Sequence, residues 1–203
     1  MPTRIPFIST THYLSPRTLM KKENQILAQY LREQIALEEH LCKVIQDQIA
    51  TINEASFQDA KEVLEAASQL LELQFMPLNT ALDAYEHSAE YKTDMNGNYH
   101  PPSHEPSPRR MQISKMLQDD YAALNHVTIS NTLLHTLALA LGETDVAKLS
   151  LTHLENLAPL VVRVGDLVPR VTTRELSKEY PSVDPNSAET ALGNTKRAWR
   201  KAS

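Results

Sequence analysis

The sequence LHTLALALGETDVAKL, residues 134–149, contains a tight turn between two helical patterns. Leucines on its first side recur at three- and four-residue steps, which is typical of an amphipathic helix. Gly142 follows directly and fits the C′ position, where a helix ends in the left-handed conformation. Thr144 fits the N-cap of the next helix. Because so short a link forces neighbouring helices to run antiparallel, the stretch predicts a helical hairpin.

Apolar stripes on both sides extend this hairpin and predict a second one. We expect helices over 21–52, 57–90, 109–141 and 144–168. Pro77 and Pro159 are expected to kink the second and fourth helices, and Pro169 to close the fourth. Residues 1–20 are predicted to form an extended arm, 21–170 the bundle, and 171–203 a flexible tail, since neither end has a sustained stripe.

The link between the hairpins, residues 91–108, is unusually long and rich in proline. At ~3.3 Å per residue it could reach ~60 Å, more than the length of any predicted helix. A shorter link would be enough for a plain up-down-up-down bundle. We therefore predict an all-α, antiparallel four-helix bundle whose two hairpins are joined by a long crossover.

Composition excludes several classes of protein. With one cysteine and four glycines among 203 residues, the chain has no disulfide scaffold, no paired-thiolate zinc motif and no glycine-rich phosphate loop. The net charge is −5, made up of −8 over residues 1–169 and +3 over residues 170–203, which argues against nucleic acid on the folded body. There is no transmembrane run and no secretory signal, so we predict a cytoplasmic protein. The acid-free stretch before Glu23 leaves a targeting segment open.

The predicted layout resembles the ferritin-like superfamily. The nearest likeness is Leu141–Leu149, which resembles the turn between the third and fourth helices of small bacterial stress-associated ferritin-like proteins. The resemblance implies an antiparallel bundle and a stress-related role. It also implies iron as the metal and a di-metal centre inside the bundle. A homo-oligomer, namely a dimer formed through exposed helix faces, is what the assembly function described below predicts.

The metal motif of that superfamily is incomplete here. Its centre uses one Glu from each of two helices and a Glu-x-x-His pair from each of the other two, and this chain contains no Glu-x-x-His. One candidate ligand remains on each predicted helix: Glu38, Glu72, His126 and His153. Four such groups could hold one ion, but two cations need more carboxylates.

Three functions stay open at this point. The sequence favours a non-catalytic interaction or assembly protein with no cofactor and an apolar interior midway along the bundle. The first alternative is an iron-binding or iron-oxidising protein that uses the partial site. The second is a small-ligand carrier with a pocket near the kinked helices at Pro77 and Pro159. The basic C-terminal segment around Trp199 is a candidate surface for a protein partner.

Overall fold

The computed structural model describes residues 16–86 and 113–202, and these residues are all-helical. A short 3₁₀ turn at Ala55–Phe57 precedes the second of five α-helices. The helices are α1 (Pro16–Ile49), α2 (Gln58–Glu86), α3 (Ile113–Leu141), α4 (Thr144–Glu179) and α5 (Ser187–Ala202). Among the described residues, no helix is long and apolar enough to cross a membrane.

The four long helices pack as two hairpins, α1 with α2 and α3 with α4. The hairpins meet along two further pairs, because α1 packs on α3 and α2 packs on α4. At one end of the bundle, the Tyr85 hydroxyl at the end of α2 donates to Glu143 Oε2 over 2.7 Å. At the other end, Arg174 Nη1 donates to the carbonyl of Ser56 over 2.6 Å, and the backbone N–H of Ile113 donates to Glu175.

These contacts place the end of α2 and the start of α3 at opposite ends of the bundle. Glu143 lies in the turn between α3 and α4, whereas Ser56 and Glu175 lie beside the starts of α2 and α3. The predicted crossover segment, residues 91–108, lies outside the described residues, as do residues 1–15 of the predicted arm.

The turn between α3 and α4 forms at the predicted glycine, but Thr144 is the first residue of α4 and not its N-cap, which is Glu143. Gly142 has φ +76°, the left-handed conformation that residues with a Cβ rarely adopt. The backbone N–H of Glu143 donates to the carbonyl of Ala138 over 2.8 Å, and that of Gly142 donates to Leu139 over 3.2 Å. This pair of bonds is the Schellman motif, which satisfies carbonyls that the helix end would leave unpaired.

The prolines within α2 and α4 end neither helix. The helix α2 continues through Pro77, and α4 continues through Pro159 and Pro169 to Glu179. Pro77 and Pro159 are exposed, so each ring projects from the outer face of its helix. The predicted stop at Pro169 is therefore wrong. The helix α1 also begins earlier than predicted, at Pro16, so residues 16–20 are helical and not part of an extended arm.

The predicted flexible tail, 171–203, is replaced by the last part of α4 and by α5. Ala188 and Leu192 are buried where α5 packs on α4. Two ion pairs add to this contact, Arg170–Glu189 at 2.9 Å and Lys196–Asp166 at 2.7 Å. Only two apolar side chains carry the packing, and so short a pattern does not stand out in the sequence.

Two glycines provide a matched test of the helical hairpin. We expect Gly142→Ala to lower the free energy of unfolding by about 1 kcal/mol, because alanine must adopt a left-handed conformation there. Gly193→Ala lies inside α5, where a Cβ would meet nothing within 4 Å, and should not destabilise the chain. Urea unfolding followed by circular dichroism measures both. Equal midpoints for the two variants would contradict the role assigned to Gly142.

Candidate functional site

The apolar interior is divided into two clusters, and polar side chains lie between them on all four long helices. One cluster contains Leu41, Ile45 and Leu64, and the other contains Leu27 and Leu31. We call the buried polar residues between the clusters the mid-bundle polar layer: Gln34 and Glu38 on α1, Gln74 on α2, Asn131 on α3 and His153 on α4. The expectation of an apolar interior at mid-bundle is therefore wrong.

Glu38 is the best-connected member of the mid-bundle polar layer. Its side chain has no exposed surface, and its Oε1 accepts hydrogen bonds from Gln34 Nε2 at 2.5 Å and Asn131 Nδ2 at 3.3 Å. Asn131 Nδ2 also donates to the carbonyl of Val127 at 3.2 Å, which fixes the orientation of its amide. These contacts join α1 to α3 through polar side chains.

Several oxygens of this group have no hydrogen-bond partner among the described residues: Glu38 Oε2, Gln34 Oε1 and Asn131 Oδ1. Burial raises the pKa of Glu38 to about 7, although the bonds from the two amides act in the opposite direction. A protonated Glu38 would carry a donor beside amide oxygens that need one. The surroundings therefore favour the neutral carboxyl more than a charged one.

A second buried carboxyl lies nearer the start of α3. Burial raises the pKa of Asp120 to about 7, a hydrogen bond from Gln48 lowers it, and the nearby charge of Asp119 raises it further. Sequence reasoning missed Asp120, as it missed the buried amides, because it looked for metal ligands. The available signal was position: Asp120 lies four residues after Met116 and four before Leu124, so it occupies the apolar stripe of α3.

The structure does not bring the four predicted ligands together. Glu38 and His153 are buried in the mid-bundle polar layer, whereas Glu72 and His126 are exposed. Glu72 accepts a hydrogen bond from Gln46 Nε2 on the outside of the α1–α2 hairpin. Across residues 16–86 and 113–202, no group of three His, Cys, Asp or Glu side chains is placed to hold a metal ion.

His153 is a neutral member of the layer. Burial lowers its pKa to about 4, and no described group bonds to its Nδ1. A neutral imidazole, one carboxyl and three amides supply little charge to balance a pair of cations. The donor set is therefore poorly suited to a two-metal oxidase, and among its described members hydrogen bonds join Gln34, Glu38 and Asn131.

The described part of the chain has an open groove, but it lies away from the predicted ligand pocket. Its volume is about 480 Å³, and it lies where α4 and α5 meet the start of α2, not at Pro77 or Pro159. The cations beside it are already paired, Arg174 with Asp59 at 2.8 Å and Lys178 with Glu54. Both cations also lie over the ring of Phe57, within 5.5 Å and 4.1 Å of its centroid.

Comparisons with protein-family models, with curated proteins and with solved structures find no match to this chain. A functional assignment therefore rests on the chemistry of its own side chains.

The pKa shifts in the core predict the pH dependence of stability. Glu38 and Asp120 have raised pKa values in the folded protein, so folded chains hold more protons than unfolded ones from about pH 4 to 7. The free energy of unfolding therefore falls as the pH rises through that window. His153, with its lowered pKa, acts in the opposite direction between about pH 4 and 6.5.

Glu38→Gln tests the contribution of the buried carboxyl. A glutamine amide stays neutral and can donate to the unpartnered oxygens of Gln34 and Asn131. We expect the variant to be more stable than the natural chain at pH 8, by roughly 3 kcal/mol, since each tenfold change in proton affinity is worth ~1.4 kcal/mol. At pH 4 the two should differ little. Urea unfolding at both pH values measures this. The exposed neighbour provides the control, since Glu39→Gln should change neither curve, and an equal effect of both substitutions would contradict the assignment.

Proposed function

We propose that this chain is a non-catalytic, ferritin-like helical bundle that acts as an interaction or assembly module. The observation that carries the proposal is the outer face of α3. No Asp, Glu, Lys or Arg occurs between Tyr121 and Gly142, and Ile129 and Leu133 are 59% and 53% exposed on that helix. An uncharged helix face that exposes large apolar side chains is the kind of surface that a partner normally covers.

The polar residues on α3 do little to make its outer face hydrophilic. The hydroxyls of Thr128, Thr132 and Thr136 each donate to the backbone carbonyl four residues earlier, at 2.8 to 3.1 Å. The amide of Asn125 likewise donates to the carbonyl of Tyr121. Each threonine thus uses its donor on its own helix and leaves its methyl group available to a partner.

The other long helices have ordinary charged outer faces. Exposed charged residues include Glu33, Glu39 and Asp47 on α1, Glu62, Glu72 and Asp83 on α2, and Lys148, Glu155 and Arg163 on α4. The contrast makes α3 the helix whose surface is least suited to water. Large exposed apolar surfaces on soluble proteins mark interaction sites.

The ferritin-like layout is supported by the positions of the helix ends. The end of α2 lies beside Glu143 and the start of α3 beside Glu175, at the opposite end of the bundle. A crossover between two hairpins is the simplest connection with that geometry. The stress-related role, the cytoplasmic location and a partner for the basic C-terminal segment stay predictions.

The buried amides support a structural role for the core. A polar group that is satisfied only in one register penalises sliding of the helices, as a buried asparagine does in coiled coils. The bond from Asn131 to Glu38 has this property, because it links α3 to α1, whereas Gln34 bonds to Glu38 along its own helix. When the register of the helices is fixed, the side chains on the outer faces of the bundle keep fixed positions relative to one another.

Iron chemistry distinguishes the proposed module from the alternative oxidase. We expect the purified full chain to contain no stoichiometric metal, and ferrous iron added in air to oxidise at the rate seen in buffer alone. Metal analysis and the absorbance of ferric iron measure this. Stoichiometric iron, with oxidation that is lost in Glu38→Gln and kept in Glu39→Gln, would overturn the proposal.

A further inference from the structure

We propose that the outer face of α3 is covered by the same face of a second copy of this chain, with the two α3 helices antiparallel. This inference rests on the proposed function, since it names the partner of an assembly module. It depends on three properties of the exposed residues of α3: their spacing, their symmetry and their lack of charge.

The spacing is that of a helix–helix seam. Six exposed positions follow one another at alternating four- and three-residue steps: Ala122, His126, Ile129, Leu133, Thr136 and Ala140. Alternating steps of this kind keep side chains on one line along a helix and form the a and d positions of a coiled coil. We call this line the α3 seam. It lies on the side of α3 opposite to the buried Leu124 and Asn131.

The α3 seam is symmetric about residue 131. In an antiparallel pair centred there, Ile129 faces Leu133 of the second copy, and Ala122 faces Ala140. His126 faces Thr136 in the same way. A two-fold interface requires this self-complementarity, because each contact occurs twice with the roles of the copies exchanged. Large apolar residues meet at the centre, and small residues at both ends let the helices approach closely.

The charge distribution also favours a second copy. The chain has a net charge of −5, so two copies meet with least repulsion through an uncharged surface. The α3 seam provides one, because the nearest acidic residues, Asp120 and Glu143, lie beyond its ends. A strongly charged partner would find no complementary charge on the seam.

The neighbouring side of α4 widens this surface. Ala147 faces α3, since its carbonyl lies 2.8 Å from His135 Nδ1, and Gly165 faces Tyr121. By helical geometry, Leu151, Ala158 and Val162 lie next to that side of α4, and the exposed Glu155 lies at the outer edge of the same strip. Leu151 and Val162 are 43% and 59% exposed.

The available area is sufficient for a weak dimer. The α3 seam is ~27 Å long, and α3 and α4 together, with axes ~10 Å apart, set the width of the surface. A dimer would therefore bury roughly 500 Å² per copy and about 1,000 Å² in total. That total is near the lower limit for specific interfaces, so we expect a dimer that dissociates on dilution.

Sedimentation velocity of the full chain over a range of concentrations tests the dimer. We expect twice the mass of one chain at high concentration and one chain on dilution. The double substitution Ile129→Glu and Leu133→Glu should give one chain at every concentration, because it buries four carboxylates at the centre of the seam. The matched control is Leu73→Glu with Met76→Glu on α2, residues that are 74% and 77% exposed, and it should leave the dimer intact.

Mixing two variants tests the antiparallel register. Ile129→Lys with Leu133→Lys should also be monomeric alone, and an equal mixture with the Glu double variant should recover the dimer through opposite charges. Ile129→Cys mixed with Leu133→Cys should form a disulfide between the two variants in preference to either variant with itself. Unchanged circular dichroism and urea unfolding establish that the monomeric variants are folded.

The outcomes separate this inference from the proposed function. A natural chain that stays monomeric at all concentrations, or a dimer that persists in the Glu double variant, overturns the inference on α3. Stoichiometric iron oxidation overturns the proposed function whatever the mass of the assembly. A dimer lost equally in the α2 control would also reject the α3 seam as its interface.

Discussion

The hydrogen bonds of Glu38 inside the bundle restrict how the four helices can be arranged. A carboxyl with no exposed surface is costly to bury, and here it accepts from Gln34 on its own helix and from Asn131 on α3. A shift of α3 by one turn would replace Asn131 by Val127, which has no side-chain donor, or in the other direction by His135, whose ring would then lose its contact with the carbonyl of Ala147. Leucines pack acceptably in several registers, whereas this contact forms in one. The polar layer therefore selects the register, and the two apolar clusters supply most of the driving force.

Contacts at the two ends of the bundle act in the same sense. Tyr85 bonds to Glu143 beside the α3–α4 turn, and Arg174 bridges Ser56 and Asp59 beside the start of α2. Both contacts join α2 to the α3–α4 hairpin, whereas Glu38 joins α1 to the same hairpin. These partly exposed bonds are individually weak. Their combined effect is to oppose sliding of one hairpin along the other, as the buried layer does between them.

The sequence predicted features that depend on local chemistry. Gly142 and the leucines before it are enough to define the α3–α4 turn, because a left-handed glycine and a short link have few alternatives. The sequence did not predict that the amides are buried. Gln74 and Asn131 are polar residues at positions that face the interior, and only the packing of the helices shows this. The helix α5 was missed for a related reason: Leu192 is buried only because α4 lies beneath it. The extent of α4 beyond Pro169 depends in the same way on its neighbours.

The helix α3 reverses the usual distribution of polar and apolar residues. It places Asp120 and Asn131 inside the bundle, while Ile129 and Leu133 lie outside. Each half of this reversal costs stability in an isolated chain: the first by desolvation and the second by exposing apolar surface. The inward half is offset by side chains of α1, since Gln48 bonds to Asp120 and Glu38 accepts from Asn131. The exposed Ile129 and Leu133 have no such compensation among the described residues. A second copy of the chain, centred at the level of Asn131, would cover them. Asn131 fixes the register of α3 against α1 and lies at the level of the centre of the seam on the opposite side of the helix, so a fixed register would also fix the height at which the seam is presented.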